Sequence, residues 1–270
     1  MRAALVQFTA GDDPAANLAR LRPLLAEAAA RGAGLVCTPE MTNCLAPREV
    51  LLARAQEEGA DPVLAGLREE ARRHGVWIAA GSLALRLPGE ARLANRSVLI
   101  GPDGEIAARY DKIHLFDVDL SPAETWRESE GFRPGSRAVL ARTPLAALGL
   151  TICYDLRFAH LHRALAQAGA EVILSPAAFT RPTGEAHWEV LLRARAIETG
   201  SFLLAAAQTG EHGSGRRTHG HSLAVGPWGE VLLDMGREEG VGVVDLDPGA
   251  VAEARRRLPS LRHDRPFEGP

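Results

Sequence analysis

The stretch LAALGLTICYDLRF, Leu145–Phe158, decides how the chain folds. It carries no charge before Asp155, then turns polar, and so reads as a buried strand running into a helix near Leu156–Gln167. AEVILSP, 170–176, follows as another strand. Strand, helix, strand is the unit from which α/β sheets are built. The same alternation extends outward. Upstream, AALVQFT (3–9) opens as a strand and a helix covers about 14–31, with Asp13 as N-cap, Pro14 in the first turn and Gly32 at the end. GLVCTPE (34–40) is a short buried strand. Helical segments at about 47–58 and 61–74 lead to the strand VWIAAGS, 76–82. NRSVLIGPDGEIAARYDK, 95–112, is a hairpin around the turn GPDG.

Downstream, GEAHWEVLLRARAIETG (184–200) reads as a helix with apolar positions at Val190, Leu191, Ala194 and Ile197. The strand SFLLAAAQ, a polar loop, the hairpin HSLAVGPWGEVLLDM, the strand GVGVVDLD and a last helix complete the chain. Runs such as VILS and FLLAAA are apolar throughout, which suits sheets covered on both faces. No linker and no short-period repeat breaks the pattern, so the expectation is a single α/β domain.

Composition narrows the function. The 270 residues are 46% hydrophobic and 24% charged, with a net charge of −3 spread through the chain. The charge clusters RLRP, EEARRH and EARRRL read as solvated helix faces. No basic stripe is interleaved with aromatics, so no nucleic-acid partner is expected. The apolar run in MRAALVQFTA is short and broken by Gln7, unlike a signal peptide. No run reaches the roughly 18 apolar residues of a membrane span. A cytoplasmic location without a membrane partner is expected. Cys37, Cys44 and Cys153 are odd in number, widely spaced and without a C-x-x-C, which argues against disulfides and structural zinc.

Three residues stand where a strand ends, the place where catalytic side chains collect. They are Glu40 after LVCTP, Lys112 after EIAARYD, and Cys153 after LGLTI. Cys153 is the candidate nucleophile: the helix start that follows it would favour thiolate, and the Tyr154 N–H could face an oxyanion. The competing reading is a buried structural cysteine. Its base could be one of nine histidines or Glu40, whose pKa a dry pocket would raise. Lys112 is the only lysine; every other residue among the 31 Lys+Arg is Arg. A compact ammonium can approach an oxyanion where a planar fork does not fit. HLH (160–162) lies in a helix, where i and i+2 diverge. HGH (219–221) begins a strand, so His219 and His221 could share a face and hold a metal, but no carboxylate cluster accompanies them. GPDGE and GPWGE are turns rather than phosphate loops.

Together, TPEM around Glu40, YDKIHLFDVD around Lys112 and TICYDLRF around Cys153 resemble the three motifs of the nitrilase superfamily of carbon–nitrogen hydrolases. FTRPTGEAHWEVLLRARAIE, AAAQTG, GHSLAVGPWGEVL and PSLRHDR are similar to its Nit-type amidase branch, and the likeness runs from Ala3 to about Arg265. The resemblance implies a four-layer α-β-β-α sandwich over 1–265 with a short tail at 266–270, a dimer formed through a helical face, and neither metal nor organic cofactor. It implies Glu40 as base and then acid, Cys153 as the thioester-forming nucleophile, and Lys112 with the Tyr154 N–H as oxyanion donors. Glu128, in WRESEGFRPG, would position Lys112. Arg157 would receive a carboxylate on the substrate, with Phe179 and Thr183 as pocket wall. The substrate would be a small carboxylated amide; an ω-amidase acting on 2-oxoglutaramate or 2-oxosuccinamate, nitrile hydrolysis by the same triad, a metal-dependent hydrolase built on His219 and His221, and a catalytically idle interaction protein are the alternatives. The chain departs from the family at Gly226, where DPWG becomes GPWG, and in LSPAETW (120–126), both expected in loops.

Overall fold

Two six-stranded sheets are built by the same rule. The computed structural model describes residues 1–121, 124–213 and 215–269. The first half runs β1 (Arg2–Gln7), α1 (Pro14–Ala30), β2 (Leu35–Cys37), α2 (Arg48–Arg54), α3 (Pro62–His74), β3 (Trp77–Leu85), β4 (Ala94–Ile100) and β5 (Ile106–Asp111). A hairpin, β6 (Asp117–Ser121) and β7 (Glu124–Arg127), leads on to β8 (Val139–Arg142), β9 (Ala147–Leu150), α4 (Ala159–Gln167), β10 (Val172–Leu174), α5 (Arg181–Thr199) and β11 (Phe202–Ala205). A second small hairpin follows, β12 (Thr209–Glu211) and β13 (Arg217–His219). β14 (Leu223–Val225), β15 (Val231–Asp234), β16 (Gly240–Asp245) and α6 (Pro248–Arg257) end the fold.

The strand orders are β16-β1-β2-β3-β4-β5 and β15-β14-β11-β10-β9-β8. In each sheet three central strands are parallel, β1-β2-β3 and β9-β10-β11, and antiparallel strands flank them. Parallel neighbours need helical crossovers, which α1, α3, α4 and α5 supply. Side chains alternate along each strand, so both faces find apolar cover. Ala3, Leu5, Leu35, Cys37 and Leu99 share a core with Leu148, Leu150, Val172 and Leu174 between the sheets. Ala4, Val6, Val36, Ile78 and Ile100 face the other way, against Leu21 and Leu25 of α1 and Leu64 and Leu67 of α3. Trp188, Leu192 and Ala196 of α5 and Leu161 and Leu165 of α4 cover the second sheet. The result is a single-domain α-β-β-α sandwich.

The helix starting at Asp13 forms as read: the Asp13 side chain accepts from the N–H groups of Ala15 and Ala16, with Pro14 next. Four local expectations change. The segment after Cys153 is a short 3₁₀ turn, Cys153–Arg157, and α4 begins only at Ala159, because Phe158 leaves helical backbone at φ −106°, ψ 88°. In α5 the buried face is Trp188, Leu192, Arg195, Ala196 and Thr199, while Val190 and Ile197 are 69% and 46% exposed. The polar loop after β11 contains β12 and β13. LSPAETW belongs largely to the β6–β7 hairpin, not to a loop; its Pro122 and Ala123 lie outside the described residues. Gly226 does lie in the β14–β15 turn, with the Glu230 carboxylate folded over it.

The segment carrying Glu40 rests on a bulge in β3. Pairing between β3 and β4 slips between Ala80 and Leu83. There Gly81 N–H donates to Thr38 Oγ1 (3.0 Å), Ser82 N–H to the Pro39 carbonyl (3.1 Å), and Met41 N–H to Ser82 Oγ (2.9 Å). A Cβ on Gly81 would stand 2.0 Å from the Thr38 carbonyl oxygen and 2.3 Å from that of Pro39. Gly81→Ala should therefore destabilise the protein by about 1–3 kcal/mol and lower activity with it, since overpacking forces backbone to move. Gly59→Ala, facing open space, is the control. Urea midpoints measure both; a Gly81 variant within about 0.5 kcal/mol of wild type would refute the close approach.

Candidate active site

The parallel strands of both sheets deliver their C-terminal ends to one place. Glu40 lies just past β2, Cys153 just past β9, and Ala178 just past β10, while Lys112 follows β5 directly. Lys112 is 2%, Glu40 4% and Cys153 8% exposed, so the three meet out of solvent. Cys153 adopts φ +50°, a left-handed conformation that costs a side-chain-bearing residue energy, and Met41 beside Glu40 does the same at φ 58°. The strain is held by a hydrogen bond from the Cys153 N–H to the Pro176 carbonyl (2.8 Å).

Lys112 Nζ lies between two carboxylates. It donates to Glu40 Oε1 at 2.9 Å and to Glu128 Oε1 and Oε2 at 3.0 and 2.9 Å. Asn95 Nδ2 bridges the same pair, 3.0 Å from Glu40 Oε1 and 3.1 Å from Glu128 Oε1. Ala178 N–H holds Glu40 Oε2 at 2.9 Å, and Phe116 N–H holds Glu128 Oε2 at 2.7 Å. Gln208 Nε2 donates to the Glu40 main-chain carbonyl (2.9 Å).

These contacts set the charge states. Burial is the largest influence on Glu40 and works against its ionisation, but the Lys112 charge, hydrogen bonds from Cys153 and Lys112, and the Arg216 charge outweigh it. Its pKa lies below the ordinary carboxylate value, contrary to the raised value expected of a dry pocket. Burial also opposes the Lys112 charge, yet Glu128, Glu40 and Cys153 push its pKa well above that of a free lysine. Burial and then the Glu40 charge drive the Cys153 thiol well above its usual pKa, with Lys112 opposing only in part. The turn after Cys153 therefore does not make a thiolate, as the expected helix start would have done. The resting site holds a neutral thiol, an ammonium and an ionised carboxylate. Burial raises Cys37 and Cys44 as well, to about 12 and about 11, and neither lines the cavity that holds Cys153.

Asp155 braces the site and has no role in the sequence reading, though it stands inside the Cys motif. Fully buried, it accepts from Tyr110 OH (2.6 Å), the His114 N–H (3.0 Å) and the Ile152 N–H (2.9 Å), and pairs with His114 Nδ1 (2.7 Å). Tyr110 and His114 flank Lys112 in YDKIH, so Asp155 ties the lysine segment to the cysteine turn. Asn95 and Arg216 were also missed. Each stands in a strand or loop word with no local signal, and only the assembled site shows their partners.

A cavity of about 170 Å³ opens over the triad. Arg157, Phe179 and Thr183 line it as expected, together with Phe116, Trp126 and Arg216. The Thr183 hydroxyl is tied to Thr180 Oγ1 (2.9 Å), and the Phe179 ring packs on Trp188. No backbone acceptor takes the Tyr154 N–H among the described residues. The Arg157 guanidinium sits 5.6 Å from the Phe179 ring centre and 5.8 Å from that of Tyr154. Its one polar side-chain neighbour is His187 Nδ1, at 3.3–3.4 Å, and among the described residues no carboxylate pairs with it.

The rings of His219 and His221 stack 4.6 Å apart. They do not begin a strand: His219 ends β13, and His221 lies beyond it at φ 54°, paired with Asp234 (3.0 Å). His219 is buried and its pKa falls to about 4, through burial first and the neighbouring charges of His221 and Arg237 next. Among the described residues no group of three or more His, Cys, Asp or Glu side chains is placed to hold a metal ion. In HLH, His162 is buried and His160 exposed, as helical spacing requires.

Comparison with known proteins agrees with this geometry. The model of the carbon–nitrogen hydrolase family matches residues 2–256. A protein of Yersinia enterocolitica named deaminated glutathione amidase is 41% identical over 264 residues, covering 97% of this chain and 92% of the relative. A human protein of the same name is 38% identical over 267 residues, covering 97% and 82%. The crystal structure of Saccharomyces cerevisiae Nit3, a member of branch 10 of the nitrilase superfamily, superposes with a TM-score of 0.88 at 25% identity, over 97% of this chain and 96% of that one. With its two-sheet sandwich and with Glu40, Lys112 and Cys153 gathered at the strand ends, this chain belongs to the carbon–nitrogen hydrolase family, within the nitrilase superfamily.

Proposed function

We propose that this hydrolase is an amidase acting on deaminated glutathione, through a thioester on Cys153. The observation that carries the substrate class is Arg157: a guanidinium on the wall of the catalytic cavity with no carboxylate partner among the described residues. A carboxylate on the substrate would supply that partner in a two-pronged, charge-assisted contact. The names of the relatives above support the identity. In deaminated glutathione a 2-oxoglutaryl group is joined through an amide to cysteinylglycine, so its acyl half ends in a carboxylate.

The charge states suggest the sequence of steps. A carbonyl carbon placed beside Cys153 is attacked as the thiol proton passes to Glu40, so that no free thiolate need accumulate. Once protonated, Glu40 loses the charge that drew Lys112, and an Nζ donor becomes free for the oxyanion, beside the Tyr154 N–H. Glu128 keeps Lys112 charged and in place. Glu40 then returns its proton to the departing nitrogen, the C–N bond breaks and the thioester remains. A water deprotonated by Glu40 attacks the thioester, and the acid leaves as the thiol re-forms.

The reading also places the enzyme in the cytoplasm as a homodimer. Three unpaired cysteines support the location. Among the described residues no helix is long and apolar enough to cross a membrane. The dimer is supported by an exposed apolar face: Val190 and Ile197 of α5, Trp228 and Val231 of the β14–β15 hairpin, and Leu258 after α6. Trp228 lies 4.3 Å below the Arg257 guanidinium, which joins the hairpin to α6. Sedimentation should give twice the chain mass, and Val190→Arg with Ile197→Arg should give the monomer; a wild-type monomer at micromolar concentration would overturn this.

Cys153→Ala should remove turnover by several orders of magnitude. Lys112→Arg, which keeps the charge, should lose roughly 10²-fold or more, because two carboxylates within 3.0 Å of Nζ leave no room for a planar fork. Ammonia or amine release measures both. Residual activity of the Cys153 variant above about a hundredth of wild type, or near-normal activity of the Lys112 variant, would count against these roles.

Arg157→Met should raise KM for deaminated glutathione and for 2-oxoglutaramate steeply, and change little for a neutral short amide, since only the first two lose an ion pair. kcat/KM for the three substrates with both proteins decides it. A wild type that prefers the neutral amide, or a variant that loses all three alike, would remove the carboxylate anchor.

A further inference from the structure

The catalytic cavity does not end at the triad. Leu45, Ala46, Trp126, Thr180 and Arg216 form part of its wall and also of the wall of a second cavity, about 660 Å³. Arg216 is the cation at this junction. Its Nη2 donates to the Ala178 carbonyl at 2.5 Å, and its guanidinium lies 4.7 Å from the Trp126 ring centre. Its Nε is buried without a hydrogen-bond partner, and among the described residues no carboxylate pairs with it. The other two arginines of the outer cavity are committed: Arg181 to Glu185 (3.0 Å) and Arg217 to Glu211 (2.9 Å). A guanidinium has five N–H donors, and this one uses a single carbonyl.

The direction of the chemistry fixes which half of a substrate would meet Arg216. The departing nitrogen takes its proton from Glu40, so the leaving group must lie on the Glu40 side of the scissile carbon. Arg216 is on that side: it bonds the carbonyl of Ala178, whose own N–H holds Glu40 Oε2 at 2.9 Å, and its charge acts on Glu40 directly. Arg157 is a separate cation, held among Tyr154, Phe179 and His187.

We infer that Arg216, backed by Trp126, is a leaving-group subsite that receives the carboxylate of an amino-acid or short-peptide amine, so that the outer cavity selects amides whose nitrogen half ends in an acid. This deepens the proposed function and rests on it for the acyl half alone. Arg157 and Arg216, each with its own partners in the cavity wall, would then bind a substrate that carries a carboxylate at each end. Ammonia as leaving group would use only one of them. At 4.7 Å from the Trp126 ring centre the guanidinium is held by a cation–π contact, which takes up none of its N–H donors. The β6–β7 hairpin supplies that ring.

The test holds the acyl half constant and varies the leaving group. Three 2-oxoglutaryl amides are compared: with cysteinylglycine, with cysteinylglycinamide, in which the terminal carboxylate is blocked, and with ammonia. Wild type should favour the acid-ended peptide over its amide-ended counterpart by about tenfold or more in kcat/KM, the scale of a charge-assisted pair. Arg216→Gln should erase most of that ratio, and Arg216→Lys should restore part of it. Equal wild-type rates on the acid-ended and amide-ended peptides would overturn the subsite without any variant. So would an Arg216→Gln variant that loses all three substrates in the same proportion, because Arg216 would then serve only to hold Ala178 and Glu40. Failure of the acyl reading is seen separately, in a wild type that prefers neutral acyl groups; the acid-to-amide ratio is then read on the best acyl group found.

Discussion

A single ammonium buried between two carboxylates is the constraint from which the rest of this site follows. Placing three charges where solvent barely reaches is costly unless each is paired and hydrogen-bonded. Lys112, Glu40 and Glu128 meet that condition jointly. Asn95 bridges the carboxylates, and the Ala178 and Phe116 N–H groups take the remaining oxygens. Removing one member would leave the others unpaired in a dry cavity. The same arrangement explains why the cysteine stays a thiol: a negative Glu40 next to it, and no water, make the thiolate unfavourable until the proton has somewhere to go. On the mechanism proposed, Cys153 would give up its proton to Glu40 at the moment of attack, rather than be ionised by a helix terminus beforehand.

The two sheets make that cluster possible. Parallel strands all point their C-terminal ends in one direction, and the two halves of the chain repeat the arrangement. Glu40 from one sheet and Cys153 from the other are brought face to face by the packing of Ala3, Leu5 and Leu35 on Leu148, Leu150 and Val172. Local strain fine-tunes the result, at Cys153 and at Met41. Asp155 joins the layers again, receiving donors from the lysine segment and the cysteine turn at once. Gln208, reached from β11, adds a tie from a third direction.

Much of this was readable in the chain. Apolar runs with no alternation announced sheets covered on both faces, and the Asp13–Pro14 pair announced the first helix. A solitary lysine in an arginine-rich chain marked a place where ion shape matters. What misled was local inference about environment. A strand–helix junction at Cys153 suggested a thiolate, and a carboxylate in a dry pocket suggested a raised pKa. Both depend on neighbours from distant segments, and Lys112, 72 residues from Glu40, reverses the second. Helical spacing also named Val190 and Ile197 among the apolar positions of α5, and both face outward. The same spacing admits a face shifted by one position, and Trp188, Leu192 and Ala196 are the side chains that meet the sheet.

The sequence alone determined the order of the helices and of the central strands, the α/β class, and the residue types able to do amide chemistry, because these rest on short-range pattern and on the intrinsic reactivity of Glu, Lys and Cys. Only the tertiary structure decided their protonation states, the latch through Asp155, the bridge through Asn95, and the two guanidiniums in the cavity wall, Arg157 and Arg216, that pair with no carboxylate among the described residues. Charge states and ion pairs are set by distance and burial, and both come from segments that the chain keeps far apart until it folds.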